Sequence, residues 1–225
     1  MRISLSKKIM VFPFLLIGIG FLGCKDADKE SIAQAQLCLD KVTQTDTAAV
    51  QACLDKLGNV DTQEANIVRC SGEILLGGLT TEKVVNAFSQ SSGSQAALMV
   101  TLAVTNQGSG STDTANKTLA LKTETTCKKS NVSGLIALAS FSKIGTVMVV
   151  GSGLSCADPL NCTPAEASTI VTNCSSNCSP EEVGNTAIIV ADSYCTGDNV
   201  NSPECKEIQT AIQNGNSDPT TIGQY

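Results

Sequence analysis

Cysteine is the residue type with the most chemical potential in this chain. Eleven cysteines occur among 225 residues, and histidine is absent. Without an imidazole the chain cannot assemble a Ser-His-Asp or Cys-His catalytic group, and it has no histidine metal ligand. Cysteine usage this high is typical of exported proteins, in which thiols pair as disulfides. The composition therefore predicts covalent cross-links rather than catalysis.

Ten of the cysteines lie beyond the N-terminal segment: Cys38, Cys53, Cys70, Cys127, Cys156, Cys162, Cys174, Cys178, Cys195 and Cys205. Their spacing is irregular and includes no Cys-x-x-Cys pair, so we expect disulfides and no metal site. Four of them precede residue 150 and six follow it. Both counts are even, which is consistent with bridges that stay within each half of the chain.

Helical hairpin geometry narrows the possible pairings. Two cysteines on an antiparallel hairpin face each other when they lie equally far from the turn. This criterion favours a Cys38–Cys53 bridge and a Cys195–Cys205 bridge. Cys70 competes for Cys53, because that pair is also centred on a polar segment.

Two further pairs lie closer together in the sequence. Cys156 and Cys162 flank Pro159 and could close a small loop. Cys174 and Cys178 lie one turn apart on one helix face, near the upper reach of a disulfide, so we expect each to bond a neighbouring helix.

Hydrophobic spacing predicts helices along most of the chain. Val50, Cys53, Leu54 and Leu57 recur at helical intervals, and 163–166 carries an N-cap, a proline and a glutamate in the order of a helix start. Similar starts follow at Ser179 and Ser202. We predict an all-α, disulfide-stapled bundle of about seven to nine short helices with an apolar central helix.

The central stretch 132–153 has Lys143 as its only charged residue. We expect a buried central helix, or a helix that breaks at Gly145 into an apolar strand over 146–150. A membrane-inserting hairpin with 96–105 is the remaining alternative. A lysine in mid-membrane would cost that hairpin about 2.5–3.5 kcal/mol.

The N-terminal segment predicts export. Three basic residues precede an apolar run over 9–22, which is too short to span a bilayer comfortably and is typical of a signal peptide. The run ends in Phe21-Leu22-Gly23-Cys24. This segment resembles the lipobox of bacterial lipoproteins, in the relaxed form found in spirochaetes.

The lipobox resemblance implies how the chain is processed and where it resides. Signal peptidase II would cut before Cys24, which would then carry a diacylglycerol and an N-acyl chain (palmitate among them). Lys25 follows the cysteine where an inner-membrane retention signal would have aspartate, so the resemblance implies the outer membrane. The alternative is an ordinary cleaved signal peptide with Cys24 as a disulfide partner. The resemblance covers about 24 residues and assigns processing only.

We divide the chain into five segments: a lipoprotein signal peptide over 1–23, the lipidated Cys24 with a charged tether over 24–30, an N-terminal helical half over 31–155, a cysteine-rich C-terminal half over 156–215, and a flexible tail over 216–225. The span 31–215 is expected to be one domain. After loss of the signal peptide, 12 basic and 21 acidic residues remain, a net charge of −9. This balance argues against nucleic-acid binding.

No group of residues predicts catalysis or a cofactor. The carboxylate pair Glu181 and Glu182 starts a helix, and Asp26 and Asp28 lie in the tether. Phosphate-binding loops and nucleophile motifs are absent from the sequence. We therefore expect a non-catalytic binding or structural module, held on a membrane through Cys24 and open to a protein partner. The alternative is a carrier or inhibitor that holds an apolar ligand in the interior of 96–153.

Overall fold

The computed structural model describes residues 26–90, 94–105, 114–193 and 195–224. Every regular element in these ranges is helical, which confirms the all-α prediction. A short 3₁₀ helix, Gly197–Asn201, precedes the tenth α-helix. The eleven α-helices of the described residues are α1 Ala27–Leu39, α2 Thr47–Asp55, α3 Gln63–Leu76, α4 Thr81–Gln90, α5 Gln95–Thr101, α6 Thr114–Ser130, α7 Ser133–Ser152, α8 Pro164–Asn177, α9 Pro180–Ser193, α10 Pro203–Asn214 and α11 Pro219–Ile222.

The predicted helix starts are present. Thr163 Oγ1 accepts from the backbone N–H of Glu166, and the Glu166 carboxylate accepts from the N–H of Thr163 at 2.9 Å, so α8 begins with a complete capping box. Ser202 caps α10 by accepting from the N–H of Cys205. Ser179 Oγ accepts from the N–H of Glu182 at the start of α9.

Two short helices raise the count above the expected seven to nine. α5 has seven residues and α11 has four, too few to show a helical period in the sequence. The N-terminal tether is also shorter than expected. Asp26 accepts from the N–H of Asp28 and caps α1, so residues 27–30 are helical.

The last helix, α11, packs against the rest of the bundle. Asp218 caps α11, and Ile222 is buried, with 3% of its surface exposed. Gly184 of α9 lies against the backbone of Pro219, where an added Cβ would collide with the Pro219 carbonyl. This contact and the burial of Ile222 hold α11 against α9. The prediction of a flexible tail over 216–225 is therefore wrong for the residues of α11.

The first three helices share a small aliphatic core. Val50, Leu54 and Leu57 of the predicted α2 face are buried and pack with Ala35 of α1 and Val68 of α3. A break follows α2 at Gly58, whose φ of +49° suits glycine.

α7 is the buried central helix. It runs unbroken through Gly145 and packs against α5, α6, α8 and α9, so the alternative of a strand over 146–150 is wrong. Gly145 lies against the backbone of Met99 in α5, with no room for a Cβ. The glycine that suggested a break therefore allows two helices to approach closely.

α7 also carries a buried ion pair. Lys143 Nζ lies 3.0 Å from Glu124 Oε2 of α6, and both side chains are buried. Within the described residues, α7 is the one helix long and apolar enough to span a membrane, and 61% of its apolar window is buried inside the protein. Glu124 lets Lys143 lie inside an otherwise apolar helix without an unpaired charge.

The close approach at Gly145 can be tested within α7 itself. Gly145→Ala should lower the free energy of unfolding by about 1–3 kcal/mol, because the methyl group must push α5 away. The matched control is Gly134→Ala, since nothing lies within 4 Å of a Cβ at Gly134. Alanine there should be neutral or stabilising by up to about 1 kcal/mol. Urea unfolding followed by circular dichroism measures both, and equal effects would contradict this account.

Candidate functional site

The structure places the predicted site residues in two groups. Cys24 lies outside the described residues. The other ten cysteines form five disulfides, with Cα–Cα distances of 4.9–5.4 Å: Cys38–Cys53, Cys70–Cys127, Cys156–Cys162, Cys174–Cys178 and Cys195–Cys205. All five bridges stay within one half of the chain, as the even cysteine counts predict.

Two bridges follow the hairpin argument. Cys38–Cys53 joins α1 to α2 across their turn, and Cys195–Cys205 joins the end of α9 to α10. Because Cys53 is taken by Cys38, Cys70 cannot pair with it. Cys70 instead bonds Cys127, 57 residues away, where α3 packs along α6.

The expectation for Cys174 and Cys178 is wrong. These two cysteines bond each other, with their Cα atoms 5.0 Å apart. α8 ends at Asn177, and Cys178 adopts extended backbone angles. This Cα separation suits an ordinary disulfide, so neither cysteine needs a partner on another helix.

One cluster has the composition of a metal site without its chemistry. The Sγ atoms of Cys156 and Cys162 and a Glu166 carboxylate oxygen lie within 4.8 Å of one another. The two sulfurs are joined to each other, and a disulfide sulfur is not the thiolate that binds metal. Hydrogen bonds from the Thr163 hydroxyl, the Ala157 N–H and the Thr163 N–H lower the pKa of Glu166 to about 2. This carboxylate therefore serves the start of α8.

A groove of about 540 Å³ lies between the α2–α3 turn and α6. We call it the α3/α6 groove. Its walls include Arg69 of α3 and Lys122 and Lys129 of α6. Arg69 is the only arginine beyond residue 23. Its guanidinium donates to the Val60 carbonyl at 3.0 Å and to Asn66 Oδ1 at 3.0 Å.

The cations of the α3/α6 groove already have partners. Lys129 Nζ lies 3.0 Å from Asp61, and Lys122 Nζ lies 3.0 Å from the fully buried Glu73. Hydrogen bonds from Asn66 and then Lys129 hold the pKa of Asp61 below its ordinary value. These contacts tie α3 to α6, so the charges of this groove act within the fold.

A second groove, of about 500 Å³, opens at the start of α4. We call it the Lys83 groove. Its walls come from separate parts of the chain: 43–45 after α1, Gly78, Thr80 and Glu82 around the start of α4, Thr105 after α5, and Pro159 and Leu160 in the loop before α8.

Lys83 lies at the floor of this groove, with 2% of its surface exposed. Its Nζ donates to the Ala103 carbonyl at 2.8 Å and to Thr105 Oγ1 at 3.3 Å. Burial lowers the pKa of Lys83 from 10.5 to about 8. A buried titratable side chain in a cleft is a typical feature of a functional site.

The sequence contained a signal for Lys83 that spacing arguments overlooked. Lys83 and Ala87 are four residues apart on the buried face of α4, and both are 2% exposed. A lysine at an apolar-face position of a short helix indicates either a buried cation or a shortened helix. The lysine is therefore a candidate site residue beyond those that the cysteine pattern predicts.

The grooves also bear on the apolar-ligand alternative. The α3/α6 groove and the Lys83 groove are bordered largely by polar and charged side chains. In the interior of 96–153, Ala97, Val100 and Val149 pack in one buried cluster around α5, α7 and α8. The apolar-ligand alternative stays a prediction.

Comparison with known proteins adds no relationship. No family model, curated protein or solved structure matches this chain.

The bridges should differ in their effect on stability. Replacing Cys70 and Cys127 together by alanine should cost about 4 kcal/mol, because their bridge closes a loop of 57 residues. The same change at Cys156 and Cys162, six residues apart, should cost about 2 kcal/mol. Urea unfolding of the two double variants measures the difference, and a larger loss for the Cys156–Cys162 variant would contradict the ranking.

Burial of Lys83 predicts a pH dependence of stability. Between about pH 8 and 10.5 the unfolded chain holds a proton at this position that the folded chain has released. The free energy of unfolding of wild type relative to Lys83→Met should therefore rise with pH across that window, by up to about 1.4 kcal/mol per pH unit. Lys56→Met, at an exposed lysine, should follow wild type. Parallel curves for wild type and Lys83→Met would contradict the burial effect.

Proposed function

We propose that this protein is a lipid-anchored bacterial lipoprotein that acts at the cell envelope as a non-catalytic binding module. Cys24 carries the lipid, and the helical bundle presents its grooves to the surrounding medium. The single observation that carries the proposal is the pairing of the ten other cysteines among themselves.

The pairing matters because the full chain has an odd number of cysteines. Five disulfides use ten of the eleven, so Cys24 has no intramolecular partner left. An unpaired cysteine in an exported protein needs another fate, such as an intermolecular bond or a modification. Its position directly after Phe21-Leu22-Gly23 favours lipidation, and this weakens the alternative of Cys24 as an internal disulfide partner.

The density of disulfides supports export. Bridges of this number persist in oxidising compartments and are rare where thiols are kept reduced. Acyl chains on Cys24 would hold the chain on a bilayer, since each buried methylene contributes about 0.8 kcal/mol. We propose the outer membrane as the destination. Lys25 follows the cysteine at the position where an inner-membrane retention signal would have aspartate.

The described surface supports binding more than catalysis. Glu166 is committed to capping α8, and the charges of the α3/α6 groove are committed to neighbouring side chains. The Lys83 groove offers hydroxyl groups and one buried amine. A nucleophile paired with a general base, the usual arrangement in covalent catalysis, has no counterpart among these groups.

The anchor is tested by Cys24→Ser in the native membrane. Wild type should be recovered in the membrane fraction, incorporate labelled palmitate, and begin at Cys24 by intact mass. Cys24→Ser should lose the label and keep its signal segment by intact mass, because both lipidation and cleavage at the lipobox require Cys24. Cys156→Ser/Cys162→Ser is the matched control, since it removes two cysteines without touching the anchor.

The same samples report the disulfides. Mass spectrometry with and without reduction should find no free thiol in the oxidised wild type. Palmitate label on Cys24→Ser, or a wild-type mature chain that begins elsewhere, would contradict the anchor.

A further inference from the structure

We infer that the Lys83 groove is a binding site for a small ligand that carries a single carboxylate, with the Lys83 ammonium as its counter-ion. This inference rests on the proposed binding role and names the ligand class that the role requires.

The first argument is the balance of buried charge. Four charged side chains are buried in the described residues: Glu73, Lys83, Glu124 and Lys143. Glu73 is paired with Lys122, and Glu124 is paired with Lys143. Lys83 has no carboxylate within ion-pair distance in the described part of the chain and has two neutral oxygen acceptors in its place. A buried ammonium without a counter-ion is costly, and a ligand carboxylate would supply one.

The second argument is the geometry of the amine. An ammonium has three donors, and the Ala103 carbonyl and Thr105 Oγ1 account for two of them. Lys83 and Thr105 both border the groove. A ligand oxygen in the groove can accept the third hydrogen bond without displacing either protein acceptor.

The third argument is the character of the walls. Gln44 is fixed in place, because its amide donates to Thr81 Oγ1 at 3.0 Å and accepts from the Thr81 N–H at 2.9 Å. Thr43, Thr80, Pro159 and Leu160 also line the groove. This combination suits a short molecule with a polar head and a small apolar end.

Glu82 limits the charge of the ligand. It is exposed on the wall of the groove and is the other titratable side chain that lines it. One ammonium at the floor balances one negative charge, and Glu82 repels a second. The groove should therefore accept a monocarboxylate and disfavour a phosphate dianion.

A purely structural role for Lys83 makes a different prediction. Its ammonium could simply satisfy the carbonyl that follows α5, as lysines near helix ends do. In that case ligands would leave the lysine unchanged. The experiment therefore measures the ¹³C resonance and the pKa of Lys83 while ligands are added.

The probes are butyrate, its neutral analogue butyramide, and inorganic phosphate. They are titrated into the full chain in detergent micelles, with its disulfides formed and its lysines labelled with ¹³C at Cε. Butyrate should shift the Lys83 resonance saturably and raise the pKa of Lys83 by about one unit or more, because the carboxylate stabilises the charged form. Butyramide and phosphate should leave the resonance in place.

Variants of Lys83 and Glu82 test whether butyrate binds in the Lys83 groove. Lys83→Met should weaken butyrate binding about tenfold or more, whereas Lys56→Met should bind as wild type does. Glu82→Gln should bind butyrate at least as tightly as wild type and should admit phosphate. If Lys83→Met does not fold, the three ligand titrations on wild type decide the question.

Three results would overturn the inference. If butyrate does not shift the Lys83 resonance, Lys83 has a purely structural role. Equal responses to butyrate and butyramide show that the carboxylate is not recognised, and tighter phosphate binding shows a different anion class. These outcomes are separate from the anchor test, because loss of the palmitate label in Cys24→Ser does not depend on the Lys83 groove.

Discussion

Lys143 lies near the middle of the most apolar helix of the fold, and its ammonium reaches Glu124 on α6. The Lys143–Glu124 pair favours one rotation of α7 about its axis, since turning the helix would separate the buried ammonium from its carboxylate. Helices α3, α5, α6, α8 and α9 contact α7. At Gly145 the packing reaches backbone contact with α5. The charge pair therefore favours one rotation of the central helix about its axis, and Gly145 sets how closely α7 approaches α5.

The composition of the core explains why covalent links accompany this packing. Only four aromatic residues lie beyond residue 23, and Phe88 is 55% exposed. The interior relies on alanine, valine, leucine and isoleucine, each of which buries less surface than an aromatic ring. Disulfides stabilise such a core mainly by restricting the unfolded chain. The Cys70–Cys127 bridge closes the longest loop of the five and lies in the interface of α3 and α6 that also carries the Lys122–Glu73 ion pair.

The sequence predicted what is local and missed what depends on packing between distant segments. Helix starts such as Thr163 and the hairpin bridge at Cys38 were predictable, because caps and turns are encoded within a few residues. The partner of Cys70 depends on how α3 lies along α6, which spacing does not contain. Gly145 suggested a break for the same reason, since its role is set by Met99 on another helix. Lys83 was overlooked because its partners come from 20 residues away.

The order of the bridges has a consequence for how the protein is made. Each disulfide joins a cysteine to the next one along the chain, so no bridge crosses or encloses another. A chain that enters an oxidising compartment N-terminus first would therefore meet its correct partners in the order of their arrival. Oxidation of one pair at a time would then yield the native set without later rearrangement by an isomerase. The order of the bridges along the folded chain would also be the order in which they form.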